Sequence, residues 1–191
     1  MHSLVLFFFI LKEEFVKIFI ISGKSGSGKG EVAKIIKEYY NSISEKSVIT
    51  EFSKYLKLYA TEIINWNQYK EEKPRSFLQE LGSNVRKIDP YFLINRMIED
   101  IKIYELAKID NIIIADARMP EELEKMKNNY DNVYIINIVN KFCESKLSIE
   151  QQKHITENAL ENYNKYDYVF ENETLEELKK EIINYLKGIE K

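Results

Sequence analysis

The sequence of 191 residues holds one cysteine, Cys143, and two histidines, His2 and His154. A single thiol closes no internal disulfide and builds no cysteine-rich zinc site, and histidines so far apart suggest no metal pair. That usage fits a reducing, cytoplasmic setting. A dominant charge is also missing: 28 Lys plus Arg against 31 Asp plus Glu leave a formal net charge of −3. This balance gives no electrostatic case for nucleic acid as a partner, so basic residues have to act locally. An apolar run, Leu-Val-Leu-Phe-Phe-Phe-Ile-Leu, fills positions 4–11, far short of the roughly 20 residues of a membrane span. It lacks the basic start and small-residue cleavage site of a signal peptide. Residues 1–15 are set apart as an N-terminal extension of open role: an extra strand, a packed tail or a misplaced start codon rather than an interfacial anchor. No membrane partner is expected. The remaining composition, 45% hydrophobic and 31% charged, is that of an ordinary globular domain.

Glycine is scarce, yet four of the six glycines fall at 23, 26, 28 and 30. Residues 16–22 are β-branched and aromatic and read as a buried strand, whereas 31–40 carry apolar side chains at 32, 35, 36 and 39, a helical spacing. Between them, Gly23-Lys24-Ser25-Gly26-Ser27-Gly28-Lys29 has the form G-x-x-x-x-G-K. The backbone N–H groups of such a turn make a concave anion site, and the N-terminus of the following helix adds positive potential. Lys29 would reach the outer phosphates of ATP. The form calls next for Ser or Thr to hold magnesium, but Gly30 and Glu31 follow. Glu31 either substitutes through a water or faces solvent on the first helical turn, where an acid suits the helix dipole.

Further strands are expected at 47–52, 111–116, 133–139 and 166–170. Helices are expected at 54–66, 75–87 and 90–108, after Pro120, and after a capping pair Thr174 and Glu177. The helix over 54–66 would place Leu56, Tyr59, Ile63 and Trp66 on one face. Alternating strands and helices predict an α/β protein with a parallel sheet covered on both faces.

Asp116 ends an apolar strand, where it would hold magnesium through water or serve as an ordinary turn aspartate. Only four residues are arginine: Arg75, Arg86, Arg96 and Arg118. Arginine grips phosphate with a planar fork that lysine cannot copy. Arg118 follows a strand end, where parallel sheets bind ligands, and Arg86 closes a helix. These two are the first candidates for an acceptor phosphate and Arg75 a third, whereas Arg96 reads as a surface or salt-bridge residue. Residues 141–157 have the size and polarity of a lid, with Lys146, Lys153 and His154 placed to close over phosphates; a solvated helical hairpin is the alternative. A capping box joins Ser148 and Gln151. Tyr55, Trp66, Tyr69 and Phe77 would stack on a nucleobase or pack in the core.

These stretches resemble the phage-type deoxynucleoside monophosphate kinases, in the nucleoside monophosphate kinase-like branch of P-loop proteins. The resemblance runs from Ile20-Ile21-Ser22-Gly23 to Lys29, through Leu78-Gln79-Glu80-Leu81-Gly82 with Arg86 and Ile88-Asp89-Pro90. It continues through Asp116-Ala117-Arg118-Met119-Pro120-Glu121-Glu122, a D-x-R-x-P-x-E pattern, and through Glu144-Ser145-Lys146-Leu147, His154 to Glu157 and Ala159-Leu160. It ends at Tyr166-Asp167-Tyr168 and Asn172-Glu173-Thr174-Leu175, and spans about residues 16–187. It implies a three-layer P-loop kinase fold with a five-stranded parallel sheet, a helical acceptor-binding insertion at about 53–108 and a lid at about 140–164, within one domain over 16–191. It implies ATP and magnesium as cofactors and transfer of the γ-phosphate to a (deoxy)nucleoside monophosphate, with Asn172 near the adenine. Lys29, Asp116, Arg118 and Lys146 would be catalytic, the loop from Gly23 to Glu31 would hold ATP, and Arg75, Arg86, Arg118 and His154 would bind the acceptor. The family commonly has Asp-Thr at 30–31, and the departure there leaves open a non-catalytic nucleotide-binding protein; a kinase for another small phosphorylated acceptor is a second alternative.

Overall fold

A computed structural model describes residues 16–68, 70–140 and 147–190 of the chain. In chain order the elements are β1 (Lys17–Ser22), α1 (Lys29–Ser42), β2 (Ser47–Thr50), α2 (Lys54–Ile64), α3 (Arg75–Ile88), α4 (Phe92–Leu106) and β3 (Asn111–Ala117). There follow α5 (Pro120–Asn129), β4 (Val133–Val139), α6 (Ile149–Gln152), α7 (Ile155–Asn158), β5 (Tyr168–Glu171) and α8 (Leu175–Ile189). The five strands form one sheet in the order β2-β3-β1-β4-β5, and every pairing is parallel.

Period-two alternation along the central strands explains the three layers. Ile18 and Ile20 of β1 join Ile112 and Ile114 of β3 on one face, against Ile94, Met97 and Ile101 of α4 and Leu123 and Met126 of α5. Phe19 and Ile21 point to the other face, against Ile35, Ile36 and Tyr40 of α1 and Leu178, Ile182 and Leu186 of α8. A third, smaller apolar cluster ties α2, α3 and α4 together through Leu56, Ala60, Leu78 and Leu93. It carries the helical insertion expected at 53–108, whose chain enters from the edge strand β2 and leaves into β3. The central strand β1 lies between β3 and β4. The chain leaves it toward one edge through α1 and later fills the other edge, so the switch in strand order opens a crevice at the strands' C-terminal ends.

Three expectations are corrected. The strand at 47–52 stops at Thr50 because the amides of Phe52 and Ser53 donate to the Asp116 carboxylate, which turns the chain into α2. The helix at 54–66 ends at Ile64 with Asn65 in the left-handed region. Its buried positions are Leu56 and Ala60, whereas Ile63 is exposed. Trp66 is buried from beyond the helix, with its indole N–H donating to the Glu72 carbonyl. The last strand begins at Tyr168 rather than 166, because Asp167 spends its carboxylate on the Ile135 amide and on Lys127. The apolar run at 4–11, Cys143 and Lys146 lie outside the described residues.

Candidate functional site

The loop from Gly23 to Lys29 joins β1 to α1, and its backbone departs from what side-chain-bearing residues adopt. Gly23 and Gly28 have φ of 141° and 106°. A Cβ on Gly23 would meet the Ile138 carbonyl at 2.5 Å and the Ser27 hydroxyl at 2.6 Å, and one on Gly28 would meet the Asn172 side-chain amide at 2.5 Å. Both positions therefore require glycine. Asn172, expected near an adenine, donates to the Ser27 carbonyl at 2.9 Å and so braces the loop from the turn after β5. Lys29 reaches back across the loop, donating to the carbonyls of Gly23 and Lys24 at 2.8 Å each. Burial, with the nearby Arg118 charge second, lowers its pKa to about 7. Such a desolvated ammonium gains from an incoming anion.

The same loop tests the fit of a triphosphate. Its donors are main-chain amides, the Lys29 ammonium and the hydroxyl of Ser27, which is buried and has no hydrogen-bond partner. That donor set suits phosphate oxygens. For magnesium the chain offers less. Glu31 pairs with Lys34 at 3.3 Å on the exposed first turn of α1. A Cβ added at Gly30 would meet nothing within 4 Å, so packing does not forbid a hydroxyl there. Asp116 accepts the Phe52 amide at 2.7 Å and the Ser53 amide at 3.0 Å, one on each oxygen. Each oxygen keeps a second lone pair, enough to hold a metal-bound water.

Two cavities open on the crevice. The larger, about 580 Å³, is lined by the loop at Gly23, Lys24, Ser25 and Ser27, by the end of β4, and by residues between 147 and 166 that include Tyr163 and Tyr166. The smaller, about 110 Å³, gathers Lys73, Arg75, Arg86, Asp116 and Arg118 between α2, α3 and the end of β3. Three of the four arginines thus line one hollow, although up to 43 residues separate them. Arg118 and Glu157 line both cavities. Arg96 pairs with Glu99 on the exposed face of α4 and lies near the Tyr55 ring, away from both.

Each of the two leading arginines has a carboxylate. Arg86 donates to Glu122 at 3.1 Å and Arg118 donates to Glu157 at 2.7 Å. Glu122 is buried, and burial pushes its carboxyl pKa up against the opposing pull of Arg86. Sequence reasoning gave neither glutamate a role. Glu122 had a local signal, since Met119 caps α5, Pro120 opens it and Glu122 stands at the third helical position, accepting the Met119 amide at 3.1 Å. Glu157 meets Arg118 only through the fold. Lys73 was missed as well; burial, then the nearby Lys57, lowers its pKa.

The described part of the expected lid is two short helices docked on α3. The Ser148 and Gln151 capping box forms. Gln151 donates to the Ser76 hydroxyl at 3.0 Å, Gln79 donates to the Gln151 carbonyl at 3.2 Å, and His154 Nε2 lies 3.0 Å from the Ser83 hydroxyl. His154 caps α7 through Nδ1, which accepts the Thr156 amide. This acceptor role puts the ring proton on Nε2, facing Ser83. Burial, then Arg86, lowers the His154 pKa. Lys153 is exposed, and Lys146 lies outside the described residues. Of the aromatics expected to stack on a base, Tyr55 donates to Asp100 and Trp66 and Phe77 belong to the third core cluster; Tyr69 is not among the described residues. The rings that line the larger cavity are Tyr163 and Tyr166, packed edge to face at 4.9 Å.

Among the described residues no helix is long and apolar enough to cross a membrane. A family model described as deoxynucleotide monophosphate kinase matches residues 41–182, a span that holds Arg75, Arg86, Asp116, Arg118, His154 and Asn172 but not the glycine loop. No curated protein matches the sequence. Among solved structures, the chain is similar to a sugar kinase from Janibacter, at 14% identity over 90% of this chain and 95% of that one, with a TM-score of 0.49. It is also similar to the APS kinase CysC of Mycobacterium tuberculosis, at 12% identity over 91% and 98%, with a TM-score of 0.46. A shikimate kinase from Aquifex aeolicus is 17% identical over 90% and 96%, with a TM-score of 0.44.

Proposed function

The chain belongs to the deoxynucleotide monophosphate kinase family, and from that premise we propose that it transfers the γ-phosphate of ATP to a (deoxy)nucleoside monophosphate, giving the diphosphate and ADP. One observation carries this reading: the cavity beside the glycine loop and the cavity lined by three arginines share a wall, and Arg118 stands in it. A donor held by the loop and a monophosphate held by the arginines would meet across that side chain.

Phosphoryl transfer asks a protein mainly for in-line positioning and for compensation of charge on the moving group. ATP with its magnesium ion would supply the transferable phosphoryl group and part of the charge compensation. The loop amides and Lys29 would hold the phosphate tail, and Asp116 would hold a water on the metal. Arg75 and Arg86 would fix the acceptor phosphate. Arg118 would reach both phosphates, its planar fork suited to oxygens on either side. Residues 147–158 already cover the junction through their contacts with α3, which would keep water from the transferable group. The placement of the Gln79, Ser83 and His154 contacts supports a lid that closes over the acceptor end.

The test is ADP release measured across the common deoxynucleoside and nucleoside monophosphates, together with the Lys29→Ala variant. The expected result is ADP formation that depends on an added monophosphate, lowered at least about 100-fold in the variant as charge stabilisation is lost, with the far-ultraviolet circular dichroism unchanged. ADP formation only with other phosphorylated acceptors would move the reading to another kinase. ATP binding with no turnover on any acceptor would make the chain a nucleotide-binding protein without catalysis.

A further inference from the structure

Glu122 touches neither cavity, yet both arginine positions depend on it. Its Oε2 accepts the Arg118 amide at 2.8 Å and the Met119 amide at 3.1 Å, and its Oε1 accepts Nη2 of Arg86 at 3.1 Å. The side chain is 3% exposed, whereas that of Arg86 is 21% exposed. The carboxylate therefore joins the main chain that carries Arg118 to the tip of Arg86. A second device acts on Arg86 from its own helix. Gly82 lies one turn before it, and a Cβ there would come within 3.0 Å of Arg86 Nη1 and 3.1 Å of Leu56 Cδ1. The bare backbone at Gly82 leaves the guanidinium room to fold back along α3 toward Glu122. Two motifs far apart in the chain, Leu-Gly-x-x-x-Arg and D-x-R-x-P-x-E, thus converge on one geometric task.

We propose that Glu122 is a positioning residue for the acceptor phosphate: by holding Arg86 and the Arg118 backbone at once, it makes the two guanidinium forks a single preorganised grip, and Gly82 keeps the path open. This rests on the reading that these arginines bind the acceptor. Rotamer freedom is what such a grip removes. An unheld arginine has to be ordered by the ligand itself, and that ordering subtracts from affinity.

The variant Glu122→Gln separates positioning from folding. Glutamine keeps a carbonyl oxygen for the two main-chain amides and turns an NH2 group, which cannot accept, toward Arg86. The expected result is an acceptor KM raised about tenfold with the KM for ATP unchanged. Arg86→Lys should raise the acceptor KM by a similar factor, and the double variant should be no worse than the worse single one, because the pair acts as a unit. Gly82→Ala is the independent check should Glu122→Gln fold poorly. The added methyl crowds buried Leu56 as well as Arg86, against the helix preference for alanine over glycine, so the readout is the acceptor KM, which should rise about threefold with the KM for ATP unchanged, a split that a merely structural role would not give. The proposal is overturned if Glu122→Gln and Gly82→Ala leave the acceptor KM unchanged while Arg86→Lys raises it, or if Glu122→Gln shifts the ATP and acceptor constants alike. If Arg86→Lys also leaves the acceptor KM unchanged, the assignment of the acceptor site itself fails, and this inference with it.

Discussion

Arg86 with Glu122 and Arg118 with Glu157 are chemically the same pair in different settings. Glu122 is fixed in the first turn of the ten-residue helix α5, 3% exposed, and bound by two main-chain amides besides its arginine. Glu157 is 12% exposed, sits on the four-residue helix α7, and lines both cavities together with its arginine. The number of donors and the access of water decide what each pair can do. A carboxylate enclosed by three donors is part of the frame. One that faces two cavities from a single helical turn can yield its arginine to an incoming phosphate. If these arginines hold the acceptor phosphate as proposed, that end of the site has a permanent half and an exchangeable half.

The largest expected effect separates these halves directly. Glu122→Ala strands the Arg86 charge and two amides and should cost about 3–5 kcal/mol of stability in denaturant unfolding, whereas Glu157→Ala should cost about 1 kcal/mol. Equal losses would erase the distinction. Next in size is Arg118→Lys. An ammonium spans the same wall without the fork, so kcat/KM should fall about 30-fold, some 2 kcal/mol of transition-state stabilisation. A rate within twofold of the parent would leave Arg118 as nothing more than the partner of Glu157.

The smallest effect contrasts the arginines with Lys29. A guanidinium stays charged at any working pH, but the Lys29 ammonium has its pKa lowered from 10.5 to about 7 by burial and by Arg118. Between those two values the unfolded chain binds the proton more readily than the fold does, so this group favours folding more as pH rises through that window. A bound polyphosphate reverses the bias, because it needs the ammonium. Nucleotide binding should therefore take up close to one proton at pH 8, and its affinity should fall by up to about tenfold per pH unit above 7. Titration calorimetry in buffers of different ionisation enthalpy reads that proton. Binding with no proton exchanged would mean that Lys29 is charged throughout.

The strands β1, β3 and β4 and the glycine loop were legible in the sequence because their signals are local: continuous apolar runs, and glycines where a Cβ would strike Ile138 or Asn172. The arginines could be nominated by their rarity, and their shared cavity followed from strand and helix order. Their pairing with Glu122 and Glu157 could not be read, since the partners are 36 and 39 residues apart. Nothing in either neighbourhood announces the other. The end of β2 was misjudged for the same reason: Phe52 suits a strand, and only a carboxylate 64 residues away draws its amide out of the ladder. Ile63 shows the limit of periodicity, since helical spacing marks a face but not whether anything packs on it.

In the proposed reaction donor and acceptor meet at Arg118. The most direct test of this is calorimetric titration with a compound that joins adenosine to a deoxynucleoside through five phosphates. If the two cavities form one continuous site, the joined molecule should bind at least about 100-fold more tightly than ATP or the monophosphate alone, and Arg118→Lys should remove much of that gain. Affinity no better than that of the tighter half would mean that the two cavities are separate sites.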